Sequence, residues 1–358
     1  MQIPSQAFAF QTKGTPVSCV QYGNGHINRT LLVTTDSDSR YILQRINQYV
    51  FKQPENVVAN AKAVTDFLRK KTGDPNAALR YIPAKSGVYC YRDAEGEYWR
   101  MFDFVEAFCL EAPETLEDFY ESAVAFGTFQ HLLSDYPVST LYEIIPNFHN
   151  TPDRFRQLKE AIANDAAGRK DSAAQEIAFA LAHEEIGGTL QRMLEAGELP
   201  LRVTHNDTKL NNVLLDANTR KSLCVIDLDT VMPGLSAFDF GDSIRFGAAT
   251  TKEDDPDPNN MKLDLMRFEV YTKGFMTAAT ALTEKEVQVL PYGALIMTLE
   301  VGIRFLADYL NGDVYFRTAY PEHNLVRCRT QFALVADMLA KWEQMNQIVA
   351  QVNAQLHQ

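Results

Sequence analysis

The sequence predicts an α+β fold of two lobes, a β-rich N-terminal lobe at residues 1–105 and a mainly helical C-terminal lobe at 106–358. Three observations support this fold class. The first hundred residues contain short β-like runs separated by turns. From Ala112 onward, long segments carry apolar residues at three- to four-residue spacing, which is typical of helices. One strand-like segment, 201–229, interrupts these helices and is dense in polar side chains.

The N-terminal lobe is predicted to be a small sheet with one helix. Val57, Val64 and Leu68 fall on one face of the segment 54–70, as an amphipathic helix requires. The sequence D-A-E-G at 93–96 predicts a hairpin turn. The predicted strands are 16–22, 30–34, 41–45, 87–91 and 98–105.

The C-terminal lobe is predicted to consist of long helices, with strands only between residues 201 and 226. In that interval the polar stretch 216–222 suits the turn of a hairpin. The short strands are predicted at 201–203, 213–215 and 223–226. The helices are predicted at 114–133, 152–163, 172–195, 263–279, 285–310 and 324–352.

The strand-like segment carries a catalytic pattern. His205, Asp207 and Asn212 match H-x-D-x-x-x-x-N, the catalytic loop of kinases, and Asp227 follows an apolar run where a kinase has its metal-binding Asp. Phosphoryl transfer needs a carboxylate to accept the proton of the acceptor hydroxyl, and an amide and a second carboxylate to hold magnesium. Asp207 is therefore the predicted base, and Asn212 and Asp227 are predicted metal ligands in a protein-kinase-like fold. The alternative is an Asp-rich turn that bonds only its own backbone.

The segment after Asp227 is short. Only ten residues separate it from Phe238, and Pro233-Gly234 lies among them. No stretch of that length can act as a phosphorylated switch, so the sequence predicts constitutive activity and excludes a protein kinase.

Several stretches besides the catalytic loop resemble the aminoglycoside phosphotransferase and choline kinase group of small-molecule kinases. The resemblance covers nearly the whole chain. The stretch 304–327 resembles, more narrowly, kinases of that group that act on N-acetylhexosamines. The other matching stretches are Y-G-N-G-H-I-N at 22–28, R-Y-I-L-Q at 40–44, I-D-L-D-T-V-M-P-G at 226–234 and F-D-F-G-D-S-I-R-F-G-A at 238–248.

The resemblance implies ATP- and Mg2+-dependent phosphorylation of the anomeric hydroxyl of N-acetylglucosamine or N-acetylgalactosamine. Asp229 is a possible further metal ligand, with a capping or loop role as the alternative. Lys209 is expected to reach the transferred phosphate, unless it is an ordinary solvated lysine. Asp239 is expected to brace the catalytic loop, and His205 to shape it by hydrogen bonding.

The nucleotide is expected to bind at the N-terminal lobe, and Phe104 and Val105 fall where the connector between the lobes would offer backbone groups to adenine. Gln44 stands where protein kinases have the strand lysine that binds the α- and β-phosphates, so another basic group or the metal must neutralise them. The backbone of the turn at 23–25 would approach the triphosphate. The alternative is a plain hairpin turn with no ligand. The predicted nucleotide-binding residues are Gly23, Asn24, Gly25, Gln44, Phe104, Val105 and Lys209.

The sugar site is predicted from charged and aromatic residues. Arg304 and Asp308 lie one helical turn apart, and the alternative is that they only form a salt bridge with each other. Arg245 is a second candidate, with an ion pair to Asp242 as its alternative. The predicted substrate-binding residues are Asp207, His26, Arg245, Arg304, Asp308, Tyr309 and Tyr315; for His26 a solvent-facing turn residue is the alternative.

Two other functions compete with the sugar kinase. One is a kinase of the same fold for an aminoglycoside, choline or homoserine, but cationic acceptors need acidic or aromatic pockets, which the two arginines disfavour. The other is a non-catalytic nucleotide-binding regulator, which the missing strand lysine favours and the intact Asp207, Asn212 and Asp227 oppose.

Composition sets further bounds. The net charge of −12 opposes nucleic-acid binding, which needs clustered Lys and Arg. Five scattered cysteines indicate reduced thiols of a cytoplasmic protein. No apolar run of about 18 residues predicts a membrane span, and the N-terminus lacks the pattern of a signal peptide. Composition thus favours neither nucleic acid nor a membrane as a partner, and the resemblance implies ATP and a small sugar as the ligands.

Overall fold

The computed structural model describes residues 3–23 and 27–357. The chain forms two compact units. The first comprises Met1–Cys109, Asp135–Pro146 and Val213–Pro233, and the second comprises Leu110–Ser134, Asn147–Asn212 and Gly234–Gln358. The first unit thus takes in two segments that follow the lobe boundary predicted at residue 105.

Strands are concentrated in the first hundred residues, as predicted. A short strand at Tyr81–Ile82 was not predicted, and of the predicted strand 87–91 only its last residue is extended, in Tyr91–Arg92. The strands are β1 (Pro16–Gln21), β2 (Arg29–Thr35), β3 (Arg40–Arg45), β4 (Tyr81–Ile82), β5 (Tyr91–Arg92), β6 (Tyr98–Asp103), β7 (Arg202–Thr204), β8 (Val213–Leu215), β9 (Ser222–Val225) and β10 (Met232–Gly234).

The first unit is built on one antiparallel sheet of order β1-β2-β3-β6-β4, with β5 paired to β6. Leu31, Leu43 and Met101 lie on its buried face and pack with Phe10 and Trp99. The register places Gln44 of β3 directly opposite Arg100 of β6. The hairpin predicted around the polar stretch 216–222 is also present, since β8 and β9 pair in antiparallel fashion with Val213 opposite Val225.

The single long helix of the first unit, α1 (Pro54–Thr72), has the predicted apolar face, with Val57, Val64 and Leu68 buried. Proline in its first turn and Gly73 in a left-handed conformation after its last turn give it clear ends. Asn60 on the buried face donates a hydrogen bond to the carbonyl of Val231 at 2.9 Å. This side chain ties the helix to the segment that follows β9.

The remaining helices belong to the second unit. They are α2 (Leu116–Leu132), α3 (Thr151–Asn164), α4 (Ala174–Ala182), α5 (Glu184–Gly187), α6 (Thr189–Glu195), α7 (Ser236–Gly247), α8 (Leu265–Ala278), α9 (Glu284–Gln288), α10 (Leu290–Leu310), α11 (His323–Ala340) and α12 (Trp342–Leu356).

Three of the predicted helices are wrong in their continuity. The helix predicted at 172–195 is three short helices, broken at His183 and Gly188. The helix predicted at 285–310 is two, because Pro291 starts a new first turn, where its missing N–H costs nothing. The helix predicted at 324–352 is broken at Lys341.

Helix α10 forms the centre of the second unit. It is long and apolar enough to cross a membrane by composition, contrary to the expectation that no such run exists, but 83% of its most apolar window is buried within the fold. Glycines let α7 and α10 approach closely, since a Cβ on Gly241 would collide with the carbonyl of Gly293. The apolar character of α10 therefore serves packing inside the protein.

The five cysteines form no disulfide. Cys19, Cys224 and Cys328 are buried, Cys90 is partly buried, and Cys109 is exposed. Burial raises the pKa of Cys90 and of Cys224 to about 12.

Candidate active site

The predicted catalytic loop follows β7 in the second unit. The Lys209 ammonium lies 2.8 Å from Oδ1 of Asp207, and the Asn212 amide nitrogen lies 3.3 Å from Oδ2 and 2.9 Å from the Asp207 carbonyl oxygen. Both carboxylate oxygens are thus held, and 26% of the Asp207 side chain remains exposed. The structure brings together three predicted site residues, all within six positions of the chain.

These contacts set the charge of the loop. Burial alone would raise the pKa of Asp207, but the Lys209 charge and hydrogen bond outweigh it and hold that pKa below its ordinary value. The Asp207 carboxylate in turn raises the pKa of Lys209. Asp207 is therefore ionised at neutral pH, which is the state a proton acceptor needs.

Asp239, which is fully buried on α7, holds the catalytic loop through hydrogen bonds to its backbone. Its two carboxylate oxygens accept the backbone N–H groups of His205 at 2.9 Å and Asn206 at 2.8 Å. Asn206 has a left-handed backbone, with φ of 64°, which an Asn tolerates better than most residues. The ring of buried His205 packs edge-on against Phe126 and accepts the Asp207 N–H through Nδ1. These contacts agree with the bracing and shaping roles expected for Asp239 and His205.

A second carboxylate of α7 supports the same loop. Oδ2 of Asp242 accepts the Thr208 N–H at 3.1 Å, while its Oδ1 pairs with the Arg245 guanidinium at 3.0 Å. Arg245 is buried and also pairs with Glu253 at 2.7 Å. The ion pair considered as the alternative for Arg245 is thus present, and its guanidinium is already bound to two carboxylates.

The first unit holds the other predicted metal ligands. Asp227 has a left-handed backbone, with φ of 58°, a conformation that costs a non-glycine residue energy and concentrates at functional sites. The buried carboxylate of Asp229 forms an ion pair with Arg100 and accepts a hydrogen bond from Asn28 at 2.6 Å. Asp229 is therefore already neutralised by protein groups, and the metal-binding role of Asp227 stays a prediction.

Magnesium prefers oxygen ligands and is commonly bound by one or two carboxylates together with substrate phosphates. In the described ranges no three His, Cys, Asp or Glu side chains cluster as a metal site. The Asn212 amide turns its nitrogen toward Asp207, which leaves its oxygen as the end that suits a cation. The Asn212 amide oxygen and the Asp227 carboxylate are each of the donor type that Mg2+ takes, and their role as metal ligands stays a prediction.

The predicted nucleotide-binding residues lie mostly in the first unit. Asn24, Gly25 and the sugar candidate His26 lie outside the described residues, and Gly23 before them has φ of 72°. Gln44 is engaged at both ends of its amide, donating to Thr30 and accepting from Arg100.

The connector after β6 carries the last two nucleotide candidates. Phe104 packs edge-on against Tyr22, with ring centroids 5.6 Å apart, and its N–H donates to the carbonyl of Arg40 at 3.1 Å. Val105 follows outside any strand or helix and is partly buried. Their position directly after the sheet is the one expected for residues that contact adenine, which stays a prediction.

Arg304 on α10 lies among aromatic rings in the second unit. Its guanidinium carbon is 5.4 Å from the ring centroid of Phe148, 5.8 Å from that of Tyr315 and 5.5 Å from that of Phe316. Tyr315 is 58% exposed, so this cluster reaches the surface of the unit. A second guanidinium is near, since Arg154 donates to the carbonyl of Phe148 at 2.8 Å. Burial and then the charge of Arg304 lower the pKa of Arg154.

Glu300 lies one helical turn before Arg304 on α10 and is fully buried. It accepts a hydrogen bond from Thr151 at 2.7 Å and contacts Nδ1 of His149 at 2.9 Å. Burial would raise the pKa of Glu300, but His149, followed by the two arginines, holds it below the ordinary value. Glu300 is thus ionised and already engaged.

Two other sugar candidates have structural partners. Buried Asp308 does not pair with Arg304; its carboxylate accepts the N–H groups of Val314, Tyr315 and Phe316 at 2.8–3.0 Å. The hydroxyl of Tyr309 lies 3.0 Å from Ser172. Asp308 therefore organises the loop that carries Tyr315, and Tyr309 packs the helix end.

Sequence reasoning missed Arg100, Glu300 and His149. Arg100 lies 129 positions before Asp229. The sequence indicated only that some basic group must replace the lysine that is missing at Gln44. Glu300 had one helical signal, since it lies one turn before Arg304 on α10. Nothing in the local sequence marked His149.

The sheet, the helical unit and the Asp-bearing loop together define a protein-kinase-like phosphotransferase. The model of the phosphotransferase enzyme family (APH) matches residues 18–265, more than half of the chain. The chain therefore belongs to this family, and the predicted fold class is confirmed. Its fold is the one shared by aminoglycoside phosphotransferases and choline kinases.

Solved structures share the fold at low identity. A microcompartment-associated aminopropanol kinase is 19% identical, with 92% of this chain and 93% of that one covered and a TM-score of 0.63. An amicoumacin kinase determined with AMP-PNP and Ca2+ is 11% identical over 92% of this chain and 91% of its own, with a TM-score of 0.60. A choline kinase from Cryptosporidium parvum Iowa II is 14% identical over 95% and 93%, with a TM-score of 0.55. At these identities the similarity establishes the fold alone.

Proposed function

We propose that this chain transfers the γ-phosphoryl group of ATP to the anomeric hydroxyl of an N-acetylhexosamine, with Mg2+ bound alongside the nucleotide. The sugar 1-phosphate is the product. In this proposal Asp207 accepts the hydroxyl proton and orients the oxygen in line with the phosphorus. Lys209 would neutralise charge that develops on the transferred group, which leaves ADP, and Asn212 and Asp227 would hold the Mg2+ that adds to this neutralisation.

The cluster around Arg304 carries the choice of acceptor. Arg304 and Arg154 give it positive charge, while its carboxylate, Glu300, is buried and bound to His149 and Thr151. A cationic acceptor would meet repulsion there without a free acidic partner. A neutral acceptor with hydroxyl and acetamido oxygens matches the donors of a guanidinium, and the exposed ring of Tyr315 offers a face for a pyranose.

The nucleotide and metal are assigned from separate observations in each unit. The amide oxygen of Asn212 and the strained Asp227 suit Mg2+, which would draw electron density from the phosphates when bound. The chain's own part in the reaction is to hold the Asp207 carboxylate ionised and oriented. Asn212 and Lys209 do this through the two carboxylate oxygens.

A substrate panel tests the proposal. The purified protein is incubated with labelled ATP and Mg2+ and, in turn, with N-acetylglucosamine, N-acetylgalactosamine, choline, ethanolamine, aminopropanol, homoserine and kanamycin. We expect turnover with an N-acetylhexosamine, and phosphorus NMR should place the phosphate on the anomeric oxygen. Turnover of choline, an amino alcohol or kanamycin without any N-acetylhexosamine would reject the sugar assignment.

The variant Arg304→Met links the activity to the cluster. Loss of a guanidinium that bonds the acceptor should raise the sugar KM by about tenfold or more and leave the ATP KM within about twofold. Arg317→Met is the matched control, because Arg317 is an exposed arginine of the following loop. Equal sugar KM values in both variants would remove Arg304 from the acceptor site.

A further inference from the structure

A buried arginine occupies the position across the sheet from the missing strand lysine. Arg100 of β6 lies directly opposite Gln44 of β3, and its Nε donates to the Gln44 side-chain oxygen at 2.9 Å. Only 2% of Arg100 is exposed, which makes it one of the largest fully buried side chains among the described residues. A buried cation of this kind needs compensation by an anion.

Asp229 supplies that compensation. It forms an ion pair with Arg100 through Oδ1 and accepts the Asn28 amide through Oδ2 at 2.6 Å. Burial alone would lower the pKa of Arg100, but the charge of Asp229 raises it above its usual range, and burial raises the pKa of neighbouring Tyr81 to about 12. The contacts of Arg100 are therefore those of a permanently charged group.

The same network reaches the turn between β1 and β2. Asn28 begins the return from that turn, and its side-chain oxygen accepts the N–H of Asn47 at 3.0 Å. The Asn47 amide donates to the carbonyl of Ile27 at 3.2 Å. One connected set of polar contacts thus joins Ile27 and Asn28, strands β3 and β6, and the segment of Asp229.

The usual partner of a strand lysine is a glutamate on the neighbouring helix. In this chain the only glutamate of α1 is Glu55, in its first turn, and Glu55 bonds the hydroxyl of Tyr98. Helix α1 contacts the segment after β9 through the neutral side chain of Asn60 instead. Both acidic side chains of α1 are thus engaged elsewhere, Glu55 with Tyr98 and Asp66 with Lys62.

We propose that Arg100 is a positioning residue that replaces the strand lysine: by neutralising Asp229 it fixes the segment that carries Asp227, and so sets the affinity of the site for the metal-bound nucleotide. This inference rests on the proposed kinase function. Arg100 acts through Asp229 because its own guanidinium is buried and bound on two sides. It also assigns Asp229 a structural role, in place of the metal-ligand role considered for it.

The physical basis is the cost of a lone buried charge. Breaking a buried ion pair by removing one partner leaves the other charge without compensation, whereas removing both avoids that penalty. Without Arg100, the Asp229 carboxylate would draw in water or a cation, and the backbone at Asp227, only two residues away, would lose its fixed conformation. The nucleotide would then have to restore that order on binding.

A double-mutant cycle tests the assignment. AMP-PNP binding with saturating Mg2+ is measured by calorimetry for the wild type, Arg100→Met, Asp229→Asn and the double variant, with unfolding midpoints recorded in parallel. We expect each single variant to weaken binding by about tenfold or more, and the double variant to recover at least about threefold over Arg100→Met. Arg100→Lys should fall between wild type and Arg100→Met.

The control is Arg80→Met, which removes an exposed arginine paired with Asp103 in the same sheet. It should leave nucleotide affinity within about twofold of the wild type. If Asp229 binds the metal directly, Asp229→Asn will lose Mg2+-dependent binding and the double variant will recover none, which overturns the inference. Wild-type affinity in both Arg100→Met and Arg100→Lys also overturns it.

The two proposals fail in different ways. A wild type that binds no AMP-PNP with Mg2+ would reject the kinase function itself. If Arg100→Met does not fold, Arg100→Lys and Asp229→Asn carry the test, since both keep side chains of similar size. Normal affinity in those two variants would then count against the positioning role.

Discussion

Asp207 has both carboxylate oxygens occupied by partners within five positions of the chain, Lys209 and Asn212. Such a local set is what a sequence pattern can predict, because neighbouring residues in a loop stay close in any compact structure. The role of each group in catalysis stays a prediction. The bracing by Asp239 and Asp242 comes from α7, more than thirty residues on, and only the family resemblance pointed to Asp239.

The substitution Asp207→Asn should lower kcat by about 10²–10⁴-fold, because an amide cannot accept the hydroxyl proton. AMP-PNP affinity should change little, because the base contacts the acceptor and not the nucleotide. Single-turnover kinetics and calorimetry on the same preparation measure the two effects. Undiminished kcat in Asp207→Asn would exclude Asp207 as the base. AMP-PNP binding without any turnover in the wild type would instead fit a nucleotide-binding regulator.

Residues that act across strands were beyond sequence reasoning. Gln44 indicated that a cation was missing, but any of the many arginines in the chain was a candidate until the register placed Arg100 opposite it. Strand pairing follows from the packing of a whole sheet, and the sequence near Arg100 contains no trace of its partner. The same limit applies to His149 and Glu300, which are 151 positions apart.

Among the elements, strands and helices of the described chain largely follow the predicted positions. The errors concern the unpredicted short strands β4 and β10, the predicted strand 87–91 and the points where helices stop. Pro291 was a readable signal for a helix start and Gly188 for a break. Lys341 carries no such signal, since lysine is a good helix former. The break there reflects packing that a periodic pattern does not contain.

The close crossing of α7 and α10 predicts a sensitive glycine. A methyl group at Gly293 would overlap the backbone carbonyl of Ala237, which cannot turn aside as a side chain can. Gly293→Ala should therefore reduce the free energy of unfolding by about 1–3 kcal/mol. Urea unfolding measures the loss. Gly188→Ala is the comparison, since its methyl group would meet only the end of the flexible Arg192 side chain; equal losses would contradict the packing argument.

Strand β7, which leads into the catalytic loop, is anchored to α9 by a buried ion pair. Glu286 accepts two hydrogen bonds from Arg202, at 2.9 and 2.7 Å, and one from Ser236 at 3.1 Å. Glu286→Gln should cost about 3 kcal/mol of unfolding free energy at pH 7, because Arg202 loses its counter-charge. Glu284→Gln, an exposed change on the same helix, should cost almost none.

This pair also predicts a pH dependence. Burial raises the pKa of Glu286, but Arg202 outweighs it and lowers that pKa below the ordinary 4.5. A depressed folded-state pKa stabilises the protein above the unfolded-state value, and the contribution is lost as pH falls through the folded-state value. On acidification below pH 4.5, the wild type should lose more unfolding free energy than Glu286→Gln. Unfolding free energies are measured by urea titration at pH 7 and at a pH below 4.5. Equal losses in the wild type and in Glu286→Gln would disprove this prediction.

For the molecule as a whole, length and composition indicated a large globular protein, and the motif placed it among kinases. The family match and the shared fold support that level of description. The choice of acceptor depends on a few side chains around Arg304, and hydroxyl-level discrimination arises from such local geometry. Length, composition and motif therefore predict the fold, whereas the acceptor depends on side chains that these patterns do not describe.

Nucleotide binding should be visible in global stability. A ligand at a hundred times its Kd adds about 2.7 kcal/mol to the folded state, which for a chain of this length raises Tm by about 3–4 °C. We expect this shift with AMP-PNP and Mg2+ in the wild type and in Asp207→Asn, but not in Asp227→Ala. Scanning calorimetry with and without EDTA measures it. A full shift in Asp227→Ala would remove Asp227 from the metal site.

The uneven exposure of the five thiols has a practical consequence. At pH 7, a thiol with a pKa of about 12 is ionised in only about one molecule in 10⁵, so Cys90 and Cys224 should resist alkylation. Cys19 and Cys328 are buried away from reagents, whereas Cys109 is exposed near the connector that follows β6. A maleimide dye should therefore label the unmodified protein at this single position, beside the expected adenine site, and report nucleotide occupancy by its fluorescence.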